Sequence, residues 1–263
     1  MFRTILRNKY TYWILFIYAI GLGWWVYLQY TAHASAYYFY LYYSLISFSG
    51  GVYALRLSFK KWGGAKSVIG RGLLGLGIGL LAETFGLLMY TYYNIVVKVA
   101  IPYPSLADIG YFSLIPAYTY AAFMFAWASG IKFSLRTARG KLQVLIIPVL
   151  ALLLAYGLFL NDTTVDASHP LKLFLDFGYP LGEIIPVSIA LLTLTLSRNL
   201  LGGTMRSRIR YLVFAFFFQF VTEYTFLYVV AANKFVDGGI SDLMYATSYA
   251  IMSLGIIAFS EYE

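Results

Sequence analysis

Asp108-Ile109-Gly110-Tyr111, Asp176-Phe177-Gly178-Tyr179 and Asp242-Leu243-Met244-Tyr245 repeat one Asp-x-x-Tyr pattern, and each copy opens a long apolar stretch. The copies stand 68 and 66 residues apart. A period of that length, in step with pairs of membrane-length segments, is the signature of a duplicated helical hairpin. Working outward, Tyr42-Tyr43-Ser44-Leu45-Ile46-Ser47 matches Tyr111-Phe112-Ser113-Leu114-Ile115-Pro116 one period earlier, with Phe39 where the other copies have Asp. The hairpins then fall near residues 11–57, 68–129, 142–197 and 211–260 of a single polytopic membrane domain, 1–263.

Composition agrees with that class. Hydrophobic residues make up 61 % of the chain, charged residues 11 %, and mean hydropathy is +0.73, whereas soluble domains carry roughly 25 % charge. Aromatics reach 20 %, with 26 Tyr, which suits interfacial belts and a semi-polar bundle interior. The chain has no Cys, so disulfides, thiolate metal sites and CxxC redox chemistry are excluded.

Eight segments are long and apolar enough to span a hydrocarbon core of about 30 Å. They lie near Thr11–Tyr30, Ala36–Leu57, Val68–Val96, Tyr111–Ser129, Leu142–Leu160, Pro170–Ser197, Tyr211–Ala232 and Ile240–Ser260. The expected fold is therefore an all-α integral membrane bundle of about eight transmembrane helices. All 19 Lys and Arg except Lys98, Lys172 and Lys234 fall in the N-terminal tail or in and beside the second, fourth and sixth connections. By the positive-inside rule this places both termini in the cytoplasm and the Asp-x-x-Tyr copies on the outer side of the cell membrane. The net charge of +8 is then a topology signal and an affinity for anionic headgroups, with the lipid bilayer as first partner and no nucleic-acid partner. Residues 31–36, Thr-Ala-His-Ala-Ser-Ala, resemble a signal cleavage site. The apolar run of about 18 residues before them exceeds the usual 7–15 of a signal, so an uncleaved anchor is expected.

Helical spacing puts Asp176, Tyr179, Pro180 and Glu183 on one face, and Asp242, Tyr245, Tyr249 and Ser253 on another. Ser105 and Asp108 have the spacing of a capping box, and Asp242 would sit at a positive helix start, so Asp108, Tyr111 and Asp242 are read as helix caps or cavity rim. Asp176 lies a turn deeper. Glu83, Glu183 and Glu223 lie deeper still, with no Lys, Arg or His at comparable depth. A charged carboxylate near the bilayer centre costs on the order of 2.5–3.5 kcal/mol, which makes such residues functional candidates. The candidate ligand- or proton-binding set is thus Glu83, Asp176, Tyr179, Glu183, Glu223, Tyr245 and Tyr249, expected to line an outward-facing, acidic, Tyr-lined cavity suited to a cation, an amine or a hydroxyl-rich molecule. Gln219 and Thr222 would share a helix face with Glu223. A buried network that only fixes helix packing is the competing reading.

Other patterns carry less. His33 and His169 are isolated, and His-x-x-x-His, Glu-x-x-His and Cys motifs are absent, so no metal or cofactor is expected. Gly70-Arg71-Gly72-Leu73-Leu74-Gly75 matches the dinucleotide string, but it opens a membrane helix with no strand before it; the glycines at 70, 72, 75, 77 and 79 form a packing face. Asn161-Asp162-Thr163 is a glycosylation sequon. Neither a Ser-His-Asp set nor a phosphate loop occurs, and enzymatic activity is not expected.

Pro102-Tyr103-Pro104-Ser105-Leu106-Ala107-Asp108-Ile109-Gly110-Tyr111, then Leu175-Asp176-Phe177-Gly178-Tyr179-Pro180-Leu181-Gly182, then Ser241-Asp242-Leu243-Met244-Tyr245 with Tyr249, resembles the multi-helix membrane sensory regions that precede bacterial diguanylate cyclase and histidine kinase domains. The resemblance covers roughly Val68–Ser260. It implies a membrane part that senses a signal and relays it to a cytoplasmic output domain. With the chain ending at Glu263 and no cyclase or kinase, a stand-alone sensor-like or ligand-binding protein is expected, working through a separate cytoplasmic signalling protein. A proton- or cation-coupled transporter, and a structural subunit docking to other membrane subunits through its glycine face, are the alternatives.

Overall fold

The computed structural model describes residues 2–31, 36–131, 137–160, 168–196 and 203–260. Every regular element among them is helical. They are α1 (Phe2–Arg7), α2 (Lys9–Tyr30), α3 (Ala36–Lys61), α4 (Val68–Thr91), α5 (Leu106–Ala128), α6 (Ala138–Ala155), α7 (Pro170–Leu196), α8 (Gly203–Ala231) and α9 (Ile240–Ile257). A 3-10 turn (Gly64–Lys66) precedes α4, and wide π turns extend α4 (Tyr92–Val97) and α6 (Tyr156–Leu160).

Local chemistry sets several starts. Asn8 accepts from the Tyr10 amide, Ser67 from the Gly70 amide and Thr137 from the Gly140 amide, each side chain satisfying a first-turn donor that has no partner within the helix. The Ser105–Asp108 capping box forms as expected and starts α5 at Leu106 rather than near Tyr111. α8 also starts earlier than hydropathy suggests, because the polar run from Gly203 to Arg210 continues the same helix.

Seven helices are long and apolar enough to cross a membrane: Lys9–Tyr30, Val68–Val97, Leu106–Ala128, Gly140–Phe159, Pro170–Leu196, Met205–Ala231 and Ile240–Ile257. The remaining long helix, α3, has 26 residues and so a length of about 39 Å. Its tyrosines and serines lower its apolarity.

Six helices close a ring in the order α3, α4, α5, α7, α8, α9 and back to α3. α2 packs outside on α3 and α9, and α6 packs outside on α7. At one end, here the basic end, Asn8 Nδ2 donates to Tyr53 Oη (2.7 Å) and Ser260 Oγ (2.9 Å), and Trp62 Nε1 to the Phe259 carbonyl (3.0 Å). At the other, acidic end, Trp25 Nε1 and Gln29 Nε2 donate to the carbonyls of Gly239 and Gly238 (2.9 and 3.0 Å). The three Asp-x-x-Tyr copies open α5, α7 and α9 at this end.

The glycine face of α4 is occupied within the chain. A Cβ on Gly79 would come within 2.4 Å of the Tyr118 ring, one on Gly75 within 2.9 Å of the Ala117 carbonyl, and one on Gly77 within 3.1 Å of the Gly51 carbonyl of α3. The backbones of α4 and α5 come closest at Gly110 of α5, where a Cβ would meet the Ala82 carbonyl and the Gly86 amide of α4 at 2.5 Å. The run 32–35 with His33, the sequon at 161–163 and the basic residues Lys132, Arg136 and Arg198 lie outside the described residues.

Candidate functional site

Three polar groups are stacked through the acidic half of the ring. The first joins α5 and α7. Asp108 Oδ2 accepts from the Ser105 amide (2.7 Å), as a capping box requires, and also from the Ser105 hydroxyl (3.1 Å), while its Oδ1 accepts from Tyr179 Oη (2.8 Å). Asp176 Oδ1 accepts from Tyr103 Oη (2.9 Å). Burial, followed by that bond and the charges of Asp176 and Asp108, pushes the Tyr103 hydroxyl well above the ordinary tyrosine range. Tyr111 packs its ring on the backbone of Gly86.

The second group closes the acidic end. Asp242 Oδ2 accepts from the Gly238 amide (2.6 Å) and is 2.9 Å from Tyr40 Oη. Asp237 Oδ1 is also 2.9 Å from Tyr40 Oη and accepts from Tyr90 Oη (2.6 Å). Tyr40 has one hydroxyl proton for two carboxylates. The Tyr40 and Tyr90 rings lie 4.7 Å apart, so α3, α4 and the connection after α8 meet there. Asp242 therefore restrains a connection as well as a helix start.

The third group is the deepest. Glu83 of α4 accepts from Tyr249 Oη of α9. Glu223 of α8 accepts from Gln219 Nε2 and Tyr245 Oη, both at 2.7 Å, and Gln219 Oε1 in turn accepts from Ser248 Oγ (2.5 Å). Glu183 of α7 lies within electrostatic range of both other glutamates, yet no donor among the described residues reaches its carboxyl group. Tyr118 of α5 is within electrostatic range of all three. Its ring is wedged between Gly79 and Phe216, 5.5 Å from the latter, and its hydroxyl has no hydrogen-bond partner among the described residues. Glu83, Glu183 and Tyr118 are 3 %, 4 % and 1 % exposed. Glu223 and Tyr245 are half-buried.

Tyrosine rings join the second and third groups. Tyr40 and Tyr43 have centroids 5.6 Å apart, Tyr43 and Tyr249 6.1 Å, and Tyr249 and Tyr245 6.0 Å. Among the described residues no Lys, Arg or His is an electrostatic neighbour of the three glutamates. Among the described residues no set of three His, Cys, Asp or Glu is close enough to hold a metal ion. His169 is hydrogen-bonded with Ser168 (2.9 Å) at the exposed start of α7, far from the glutamates. An apolar recess lined by Ala122, Phe125, Ala190 and Phe216 lies toward the basic end, away from the carboxylates.

The structure thus brings Glu83, Glu183, Glu223, Tyr245 and Tyr249 into one cluster. It places Asp108, Asp176 and Tyr179 in the group between α5 and α7, and Asp242 in the group that closes the acidic end. Sequence reasoning missed Tyr40, Tyr90, Tyr103, Tyr118, Ser248 and Asp237. Asp237-Gly238-Gly239 is a turn signal beside an acid, and Tyr118 follows Tyr111 by two helical turns. Both signals are present, though neither stands out among 26 Tyr.

Comparison with known proteins finds no matching family model, no matching curated protein and no matching solved structure.

Proposed function

We propose that this is a sensor-like, ligand-binding membrane protein whose site is the Glu83–Glu183–Glu223 cluster with Tyr118, Tyr245 and Tyr249, and whose ligand is cationic. One observation carries the reading. Three carboxylates from three helices of one ring lie within electrostatic range of one another, with no basic side chain beside them among the described residues, and the buried Tyr118 hydroxyl within range of all three has no hydrogen-bond partner there. A network serving packing alone would satisfy its buried members. Binding acts as a signal only if it favours one arrangement of the ring over another, and the cluster touches α4, α5, α7, α8 and α9 together.

The proposed topology has eight spans, α2 to α9, both termini cytoplasmic and the acidic end outward. The charge distribution along the chain supports it, as does the length of α3. The common polarity of α3, α5, α7 and α9 supports repeated hairpins. Output to a separate cytoplasmic signalling protein rests on the resemblance to membrane sensory regions.

The test is a titration of the full chain in lipid nanodiscs with protons, sodium, potassium and methylammonium, read by hydrogen exchange of α7 and α8. At least one cation is expected to change protection, and Glu183→Gln with Glu223→Gln to abolish the change. If no cation acts, or the response survives in both variants, the reading fails. The tyrosine row toward Glu83 favours a second reading, a proton- or cation-coupled carrier. Proteoliposome flux that persists unchanged in Glu83→Gln, Glu183→Gln and Glu223→Gln would rule that carrier out.

A further inference from the structure

We infer that the α8–α9 connection is a strap across the acidic end of the ring, held shut by one proton that Asp237 and Asp242 share through Tyr40. The connection bends at Asn233 (φ 53°) and Gly238 (φ 74°), both in the left-handed region that Asn and Gly enter most readily. On the α8 side the Lys234 amide closes the helix on the Val229 carbonyl (2.8 Å). The ties to the other helices gather at residues 237–239, where α2, α3, α4 and the start of α9 all reach the strap.

Four polar contacts form one chain there. The Gly238 amide meets Asp242 Oδ2 (2.6 Å), Asp242 Oδ2 meets Tyr40 Oη (2.9 Å), Tyr40 Oη meets Asp237 Oδ1 (2.9 Å), and Asp237 Oδ1 meets Tyr90 Oη (2.6 Å). The Gly238 amide, Tyr40 and Tyr90 supply one proton each. An O–H aimed at one acceptor, with the usual angle above about 150°, does not serve a second. Three protons are therefore on hand for these four contacts. With both acids ionised, one of the two oxygen–oxygen contacts at Tyr40 has no hydrogen in it, and two like charges face one hydroxyl. A fourth proton on either acid removes both defects: the protonated acid donates to Tyr40 Oη, and Tyr40 donates to the other acid. When that proton leaves to water as hydronium, the pair carries two charges in place of one. The strap is the part that yields, because Asp242 is 2 % exposed within the first turn of α9, whereas Asp237 is half-buried on the connection.

Facing the pair are Tyr40 and Tyr43 from α3, Tyr90 from α4 and Tyr111 from α5. α2 contributes Trp25 and Gln29, which do not titrate, and Tyr228 near the end of α8 and Lys234 of the connection are exposed. The strap also reaches inward. Phe235 packs on Phe226 (ring centroids 5.4 Å apart) and Phe226 on Tyr245 (5.8 Å), the tyrosine that donates to Glu223. Releasing the strap therefore loosens the cover over the glutamate cluster, a consequence that rests on the reading of that cluster as a site. In the proposed topology the strap faces outward and answers to the pH outside.

The experiment is hydrogen exchange of the full chain in nanodiscs from mildly acid to mildly alkaline pH, expressed as protection factors so that the intrinsic base catalysis of exchange is removed. The closed strap holds one proton more than the open one, so its opening constant rises with pH, by up to about tenfold per unit, and protection at 232–239 falls. Asp237→Asn sets an amide with two N–H groups between Tyr40 and Tyr90 and leaves Tyr40 to donate to Asp242, so protection there is expected to be high and flat. Tyr40→Phe is expected to be low and flat, and Asp108→Asn to respond as the parent does. The inference is overturned if protection at 232–239 does not fall with pH, or if it falls equally in Asp237→Asn. Should Asp237→Asn fail to fold, a pH response retained in Tyr40→Phe overturns it equally. Glu223→Gln separates the strap from the site: the response at 232–239 is expected to persist in it, whether or not α7 and α8 respond to cations, and its loss puts the titrating group in the glutamate cluster and overturns the strap.

Discussion

Gly110→Ala is the sharpest test of the way the ring is held together. The added Cβ would lie 2.5 Å from the Ala82 carbonyl oxygen, 2.5 Å from the Gly86 nitrogen and 2.8 Å from the Gly86 Cα. All three are backbone atoms of α4, so no rotamer change relieves the contact. Carbon–oxygen contacts between helices normally close at about 3.3–3.6 Å, so α4 and α5 must part by about 1 Å at this level. Such a gap forfeits roughly a quarter to a half of the dispersion energy of each contact it opens. The same seam seats Tyr111 on Gly86 and Tyr118 on Gly79. Overpacking of this kind costs about 1–3 kcal/mol and occasionally more, offset by the helix preference of Ala over Gly, about 1 kcal/mol. The net expectation is a loss of up to about 2 kcal/mol. Gly23 is the control, because a Cβ there meets nothing within 4 Å, and Gly23→Ala should be neutral or up to about 1 kcal/mol stabilising. Chemical unfolding of the purified full chain in mixed micelles measures both. Equal stability of the two variants, or a more stable Gly110→Ala, refutes the packing described.

The Tyr179–Asp108 bond joins α5 to α7, so a double-mutant cycle with Tyr179→Phe and Asp108→Asn should return a coupling of about 1–2 kcal/mol; a coupling indistinguishable from zero removes that link. Tyr40→Phe leaves Asp237 with Tyr90 and Asp242 with the Gly238 amide, so it should cost about 1–3 kcal/mol and speed hydrogen exchange in the connection at 232–239, whereas Tyr42→Phe, losing one bond to the Ile17 carbonyl, should leave exchange there unchanged. Tyr103 gives a pH dependence. Its hydroxyl is held protonated by burial and by Asp176, so its contribution to stability is complete below the unfolded tyrosine value of about 10 and is lost as pH rises above it. Tyr103→Phe should therefore lose less stability than the parent between about pH 9 and about pH 11, and parallel stability curves would contradict this.

How much of this could be read in advance depends on whether a signal was local. The capping box at Ser105 and Asp108 is spelled out within four residues, and it forms. Glu83, Glu183 and Glu223 are conspicuous because an acid in an apolar helix is costly and rare, and the ring brings all three within electrostatic range of one another. The pairing inside Asp-x-x-Tyr was not legible. Spacing of i, i+3 places Asp108 and Tyr111 on one face, but Tyr111 turns onto Gly86 and the partner of Asp108 is Tyr179 of the next copy. That choice depends on how α5 and α7 pack, which no single segment encodes. Tyr118 was invisible for a different reason: a tyrosine among tyrosines gives no contrast, and what distinguishes this one is the carboxylates that three other helices bring within electrostatic range of it.

Hydropathy and burial run in opposite directions in this bundle. α6 contains the most apolar window, with a mean hydropathy of 2.4, and only 6 % of that window is buried; Leu145, Leu150 and Leu153 all point outward. α3 falls short of the apolarity of the seven other long helices, yet Tyr40, Tyr43, Ser44, Ser47 and Ser58 are all buried. In water the order would be reversed, because apolar surface is what a soluble core hides. Where the surroundings are themselves apolar, leucine gains nothing by turning inward, and hydroxyls and carboxyls gain partners by doing so. α3 has α4 on one side, α9 on the other and α2 behind it, so its polar residues need not face hydrocarbon. In the proposed topology α3 crosses at this place in the ring with a sequence too polar to cross alone, because its polar residues face neighbouring helices.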